Sequence, residues 1–196
     1  AIGADSAVPN DIALNITPGY RKDVLLTGPN TAGKSSVLRG IMINLILSQV
    51  FGLSAAQKAT ITPFNTLNTY AHVTDNLALG KSLFQAEVDR VNNLLIAIAK
   101  GGKSFTTLDE IFTGTEPTPA SGAAAAACLE MTEAENSIAV VASHFSELPE
   151  LEEETNESIA NQRVYVERLA DGTIVRPFTL VNGVNTQQIA LELMMH

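Results

Sequence analysis

Val24-Leu25-Leu26-Thr27-Gly28-Pro29-Asn30-Thr31-Ala32-Gly33-Lys34-Ser35-Ser36 is the stretch on which the fold turns. An apolar run leads into Gly28-x-x-x-x-Gly33-Lys34-Ser35, and a helical pattern leaves it. A buried strand must deliver such a loop, and a helix must carry it away, if the backbone N–H groups are to converge on one point. The helix N-terminus adds positive partial charge there. The expected ligand is the phosphate tail of a nucleoside triphosphate, with Lys34 on the β- and γ-phosphates and the Ser35 hydroxyl on Mg2+. The competing reading is a glycine turn that happens to precede a helix.

Phe105-Thr106-Thr107-Leu108-Asp109-Glu110 supplies what such a turn lacks. An Asp at the end of a strand beside the loop strand can bind Mg2+ through its water shell. The following Glu can polarise the attacking water as general base. A kinase of small metabolites needs no such Glu. The alternative is two acidic residues that close a surface strand. His144 ends the apolar run Ile138–Ala142. Strand ends on one edge of a parallel sheet converge on the ligand, which makes His144 a candidate sensor of the γ-phosphate. A lone histidine is more often structural, and His72 and His196 have no supporting context.

Outward from these motifs, strands and helices alternate. Lys34 to about Phe51 reads as a helix ended by Gly52, and Phe84–Lys100 as a second, broken by Gly101-Gly102. Ser121–Glu135 reads as a third, whose alanines let another element approach closely. Alternation at Ile12, Leu14 and Ile16 suits a short strand, and Thr60–Pro63 and Leu67–Val73 are β-like. The acidic run Leu148–Glu157 reads as a solvated surface. Gln162–Leu169 and Thr173–Leu180 flank Asp171-Gly172 as a hairpin, and Asn185–Met195 suits a terminal helix. The pattern predicts α/β layering with antiparallel strands at both ends.

A chain of 196 residues, 45% hydrophobic, suits one domain with a substantial core. The net charge of −9 is uneven: residues 1–110 carry 9 Lys/Arg against 8 Asp/Glu, and residues 111–196 carry 3 against 13. So acidic a half is a poor surface for DNA phosphates. Cys128 is the single cysteine, a core filler compatible with a reducing, cytoplasmic setting. Residues 1–6 show no signal-peptide pattern, and Ile41–Leu53 is too short to span a bilayer. The opening residues suggest a fragment of a longer protein.

In order, the segments resemble the ATPase domain of the MutS family of DNA mismatch-repair proteins. The resemblance runs from Val8-Pro9-Asn10-Asp11-Ile12 through Thr27–Ser36, then Asp75-Asn76-Leu77-Ala78-Leu79-Gly80-Lys81-Ser82-Leu83-Phe84-Gln85-Ala86-Glu87. It ends with Leu108–Thr115 and Ala142-Ser143-His144-Phe145-Ser146-Glu147-Leu148. It implies an α/β P-loop NTPase of the ABC-ATPase kind, a mostly parallel sheet flanked by helices with added antiparallel strands. It implies ATP held by Gly28, Pro29, Asn30, Thr31, Ala32, Gly33, Lys34, Ser35 and Ser36, with Asn30 on a phosphate or bound water. Lys34, Glu110 and His144 would be catalytic, and Ser35 and Asp109 would hold Mg2+.

The same resemblance implies a head-to-tail homodimer in which Ser82 meets the γ-phosphate held by the other subunit, with Gly114-Thr115 at the seam. DNA would bind through mismatch-reading, lever and clamp regions outside residues 1–196, alongside other mismatch-repair proteins and no membrane. Four departures stand out. Ala7 sits where an aromatic residue often stacks on adenine, leaving Tyr20 as a substitute. Phe112-Thr113 replaces Gly-Arg, Thr118-Pro119-Ala120 a glycine-led helix start, and Ala190 a glycine. The rival readings are a slow-hydrolysing dimerisation switch, a relative acting on recombination or branched DNA, and a P-loop kinase.

Overall fold

Five consecutive buried residues form β1 (Asp23–Thr27), and the rest of the sheet is built outward from it. The computed structural model describes residues 8–14, 21–29, 32–70, 83–169, 171 and 173–185. After β1 come α1 (Lys34–Phe51), β2 (Thr66–Tyr70), α2 (Leu83–Ala99), β3 (Ser104–Asp109), α3 (Pro117–Glu133) and β4 (Ser137–Ala142). A 3-10 turn at Leu148–Glu150 leads to α4 (Leu151–Glu154). Then follow β5 (Ile159–Val164), β6 (Glu167–Arg168), β7 (Ile174–Val175) and β8 (Leu180–Asn182).

Six strands make one sheet in the order β2-β3-β4-β1-β5-β8. All neighbours are parallel except β5 and β8. Successive side chains of a strand face opposite sides. Leu25, Ala139 and Val141 join α2 and α3 through Val91, Ala124 and Met131. Val24, Leu26, Ile138 and Val140 join Leu38, Met42 and Leu45 of α1 on the other side. Helices thus cover both faces, which is why the central strands read as unbroken apolar runs.

Helix α1 has the span expected of it. It is bounded by left-handed glycines at Gly33 and Gly52. The Gly52 and Leu53 N–H groups return to the Ser48 and Leu47 carbonyls, so the last turn is capped. Helix α3 starts at Pro117, ahead of the expected Ser121. Its prolines fall in the first turn, where N–H groups have no intrahelical partner to lose. Ala120, Ala124 and Ala127 are buried, and α3 lies against β4 and α2.

Several expectations fail locally. Residues 11–14 form no strand, and Ile16 lies outside the described residues, so the only described antiparallel additions are at the C-terminal side. Residues 60–63 are not a strand either. The hairpin around Asp171 forms only as the two-residue pair β6–β7, while β5 instead pairs with β8. Past Asn185, the expected terminal helix lies outside the described residues. The acidic run is not a bare surface: Leu148 and Leu151 are buried, and the Glu152 carboxylate accepts both the Asn161 N–H (3.0 Å) and its Nδ2 (2.9 Å). Among the described residues, no helix is long and apolar enough to cross a membrane.

At the start of β1 lies a closed polar cluster. Asp23 Oδ1 accepts the Ala139 N–H at 2.6 Å, and Oδ2 accepts the Thr132 hydroxyl at 2.7 Å. Lys22 Nζ donates to the carbonyls of Met131, Thr132 and Ala134, capping the negative end of α3. Burial pushes the Asp23 carboxyl up to about 6, against the pull of its hydrogen bonds and Lys22. Burial also pushes the Cys128 thiol up to about 12, so Cys128 stays an inert thiol in the core.

Candidate functional site

Leu26, Ala142 and Asp109 stand in lateral register, so β1, β4 and β3 end together. The Ser143 N–H donates to the Leu26 carbonyl at 3.2 Å, and the Glu110 N–H to the Ala142 carbonyl at 3.0 Å. These bonds extend the sheet one step into the loops. One expectation needs correction: β3 is not beside the loop strand, because β4 lies between them. Glu110 meets the loop lysine across an intervening strand.

Lys34 closes that gap. Its side chain is buried. Nζ donates to the Gly28 carbonyl at 2.7 Å and lies 3.4 Å from the Pro29 carbonyl. It also sits 3.3 Å from Glu110 Oε1. The loop turns through an Ala32 N–H to Pro29 carbonyl bond at 3.1 Å. Gly33 has φ 107°, a conformation that requires glycine, and a Cβ there would sit 3.3 Å from the Phe178 ring, a tight contact. The first-turn N–H groups of α1 have no helical acceptor and face out beyond Gly33. Ser35 is half-buried and Ser36 exposed.

Asp109 Oδ1 is buried and has no hydrogen-bond partner among the described residues. Glu110 and Phe112 hold φ of 49° and 61°, left-handed values that cost non-glycine residues energy. The buried Thr106 and Thr107 are satisfied from β2: Asn68 Nδ2 donates to Thr106 at 3.3 Å and the Thr107 hydroxyl to Thr69 at 3.2 Å. His144 is exposed at the end of β4, its ring 4.7 Å from that of Phe145. Asn30, Thr31, Ser82 and Tyr20 lie outside the described residues.

The structure also brings up residues to which sequence reading assigned no role. Phe178 presents a half-exposed ring against Gly33 from a left-handed backbone (φ 57°). Asn10 holds that segment from both sides: Nδ2 donates to the Phe178 carbonyl at 3.0 Å, and Oδ1 accepts the Leu180 N–H at 2.6 Å. Glu87 is buried against the turn after Glu110. An isolated aromatic in a hairpin and an Asn in a turn carry no local pattern. Glu87, buried on the inner face of α2, was legible only as the last residue of the Asp75–Glu87 segment of the resemblance, with no role attached.

The family model of MutS domain V matches residues 24–194. The DNA mismatch repair protein MutS of Acetivibrio thermocellus is 32% identical over 173 residues, covering 88% of this chain and 19% of that protein. That of Desulfosudis oleivorans is 31% identical over 193 residues, covering 97% and 21%. That of Prochlorococcus marinus is 32% identical over 183 residues, covering 92% and 19%. The chain thus spans about a fifth of the length of the curated relatives it matches. With domain V matched from β1 to within two residues of its end, the chain belongs to the MutS family.

Proposed function

We propose that the chain is the ATP-binding and ATP-hydrolysing motor domain of a MutS-type protein, a P-loop NTPase of the ABC-ATPase kind. One observation carries this reading: Lys34 of the glycine loop lies 3.3 Å from Glu110, so two motifs distant in sequence share one site. The Gly28–Ser36 backbone N–H groups cradle the phosphates. Lys34, now satisfied by loop carbonyls, exchanges those partners for the β- and γ-phosphates. Glu110 is thereby freed to orient the attacking water and take its proton. Phe178 offers adenine a ring to stack on, in place of an aromatic residue at Ala7.

The oxygen donors suit Mg2+. Asp109 Oδ1 lacks a protein partner among the described residues, and no cluster of three or more His, Cys, Asp or Glu is found among them. Magnesium favours one or two protein oxygens, waters and substrate phosphates over an all-protein cage. Ser35 and Asp109 would hold the ion, which neutralises charge on the phosphates. His144, exposed just past β4, would donate to the γ-phosphate. Ser82 engages the nucleotide of a partner subunit, so closure of a homodimer follows ATP binding. The name of the relatives, DNA mismatch repair protein MutS, supports mismatch repair as the pathway, with DNA held by regions beyond this chain.

Steady-state hydrolysis and ATP titration test the reading together. Lys34→Ala removes ATP binding. Glu110→Gln retains binding and loses at least about 100-fold in turnover. Unchanged turnover in Glu110→Gln, with binding abolished in Lys34→Ala, would strip the motor reading of its general base. Ser82→Ala cuts hydrolysis while an isolated subunit still binds ATP, and equal loss of both would end the trans assignment.

A further inference from the structure

Glu87 takes part in none of these steps, yet it is 1% exposed. Its carboxylate is given over to backbone. Oε1 accepts the Thr113 N–H at 3.3 Å, and Oε2 accepts the Gly114 N–H at 3.1 Å. The Tyr70 hydroxyl, at the end of β2, reaches Oε1 at 3.5 Å. Burial, with Glu87 beside it, pushes that phenol up to about 12, so it remains a donor. The Arg90 guanidinium covers the Tyr70 ring at 4.5 Å.

Two apolar contacts run along the same seam. A Cβ on Gly114 would stand 2.7 Å from Leu83 Cγ, so turn and helix are in direct contact there. Phe84 meets Phe112 edge to face, with centroids 5.8 Å apart. Leu83, Phe84 and Glu87 belong to the opening of α2, the helix that begins immediately after Ser82. The turn they grip begins at Glu110 and has left-handed backbone at Glu110 and Phe112, which leaves little slack to absorb movement. An apolar side chain would pack the seam without desolvating a charge. Two acceptors for backbone N–H groups, at a fixed spacing, are what a carboxylate adds.

We infer that Glu87 is a positioning residue for Glu110. It clamps the Phe112–Gly114 turn to the first turn of α2, so the helix after Ser82 and the strand end bearing Glu110 move as one body. Nucleotide engaged by Ser82 in the partner's site then sets Glu110 in its own. This inference rests on the ATPase reading above.

The test compares the purified parent protein with Glu87→Gln and Gly114→Ala by amide hydrogen exchange, ATP affinity and hydrolysis. Glutamine replaces one acceptor by a donor, so one N–H loses its partner. The expected result is exchange at Thr113 and Gly114 faster by about tenfold and kcat lower by about tenfold, with ATP affinity within about twofold. Gly114→Ala, which pushes the turn from Leu83 and strains the Gly114 N–H bond while leaving both carboxylate oxygens in place, gives a smaller change in the same direction. An unchanged kcat in Glu87→Gln overturns the inference, and so does an affinity loss as large as the kcat loss. If Glu87→Gln does not fold, Gly114→Ala decides on the same readouts, since Gly114 is exposed. A parent protein that binds ATP and never hydrolyses it defeats the motor reading alone. The clamp is then judged by exchange: faster exchange at Thr113 and Gly114 upholds it, and unchanged exchange overturns it.

Discussion

Asp23 and Asp109 sit at opposite edges of the same parallel sheet and differ in what surrounds them. Asp23, at the start of β1, has both oxygens bonded within the fold, to Thr132 and Ala139. Asp109, at the end of β3, keeps a buried oxygen with no partner among the described residues. Around Asp23 the backbone is regular strand and helix, whereas the residue after Asp109 is left-handed. A buried polar atom without a partner costs about 1–3 kcal/mol, and such costs collect where a ligand repays them. The contrast holds for the two aspartates and not for every residue at each end, since Ser104 and Ser137 at the starts of β3 and β4 also bury hydroxyls without a partner among the described residues. Asp23 marks the closed edge and serves the fold, and Asp109 marks the open edge and keeps an oxygen for something that binds.

The sharpest way to break this contrast is Asp109→Asn. On the proposed role of Asp109 in holding Mg2+, hydrolysis should fall roughly 1000-fold. Stability to urea should move by less than about 1 kcal/mol, because no protein partner is given up. Normal turnover with lost stability would make both aspartates structural.

Next in size is a pH effect at the closed edge. Burial raises the Asp23 carboxyl from 3.8 to about 6. The folded state therefore holds this proton more tightly than the unfolded chain. The stabilisation is complete below about pH 4 and is lost as pH rises through about 6, a change of roughly 3 kcal/mol. Unfolding free energies of the parent and Asp23→Asn, measured from pH 4 to 7, should diverge with that sign. Parallel curves would show that Asp23 does not titrate in this range.

Thr132→Val should follow, at about 1–2 kcal/mol of stability, by leaving Asp23 Oδ2 without a donor. ATP turnover should be untouched, and a loss of turnover would tie the closed edge to function. The smallest effect is expected at Phe178, on the open edge. Phe178→Ala should weaken ATP by about tenfold, in keeping with one stacked base, and leave inorganic triphosphate unaffected. Equal weakening of both would place Phe178 on the phosphate loop as a spacer only.

Much of the open edge was legible because its parts are local. The loop, the helix that leaves it and the Asp109-Glu110 strand end each announce themselves in a few residues. The closed edge was not legible, because Asp23, Lys22, Thr132 and Ala139 come from segments remote in sequence and have no shared pattern. The sequence puts the start of this helix at Ser121, and the structure starts it at Pro117, with Pro117 and Pro119 in the first turn of α3, where they remove nothing. Ile12 and Leu14 alternate as a strand does, but residues 11–14 take no place in the sheet. Alternation favours a strand only when a neighbouring edge is there to pair with it.

By itself the sequence determined the α/β alternation, the Gly28–Ser36 loop and the carboxylates of β3, because strand burial, helix capping and glycine turns act over short separations. Only the tertiary structure decided that β4 separates loop and carboxylates, that Lys34 nonetheless meets Glu110, and that Glu87 grips the turn beyond it. Those depend on strand order and on which helix covers which face, and both are settled by packing among distant segments.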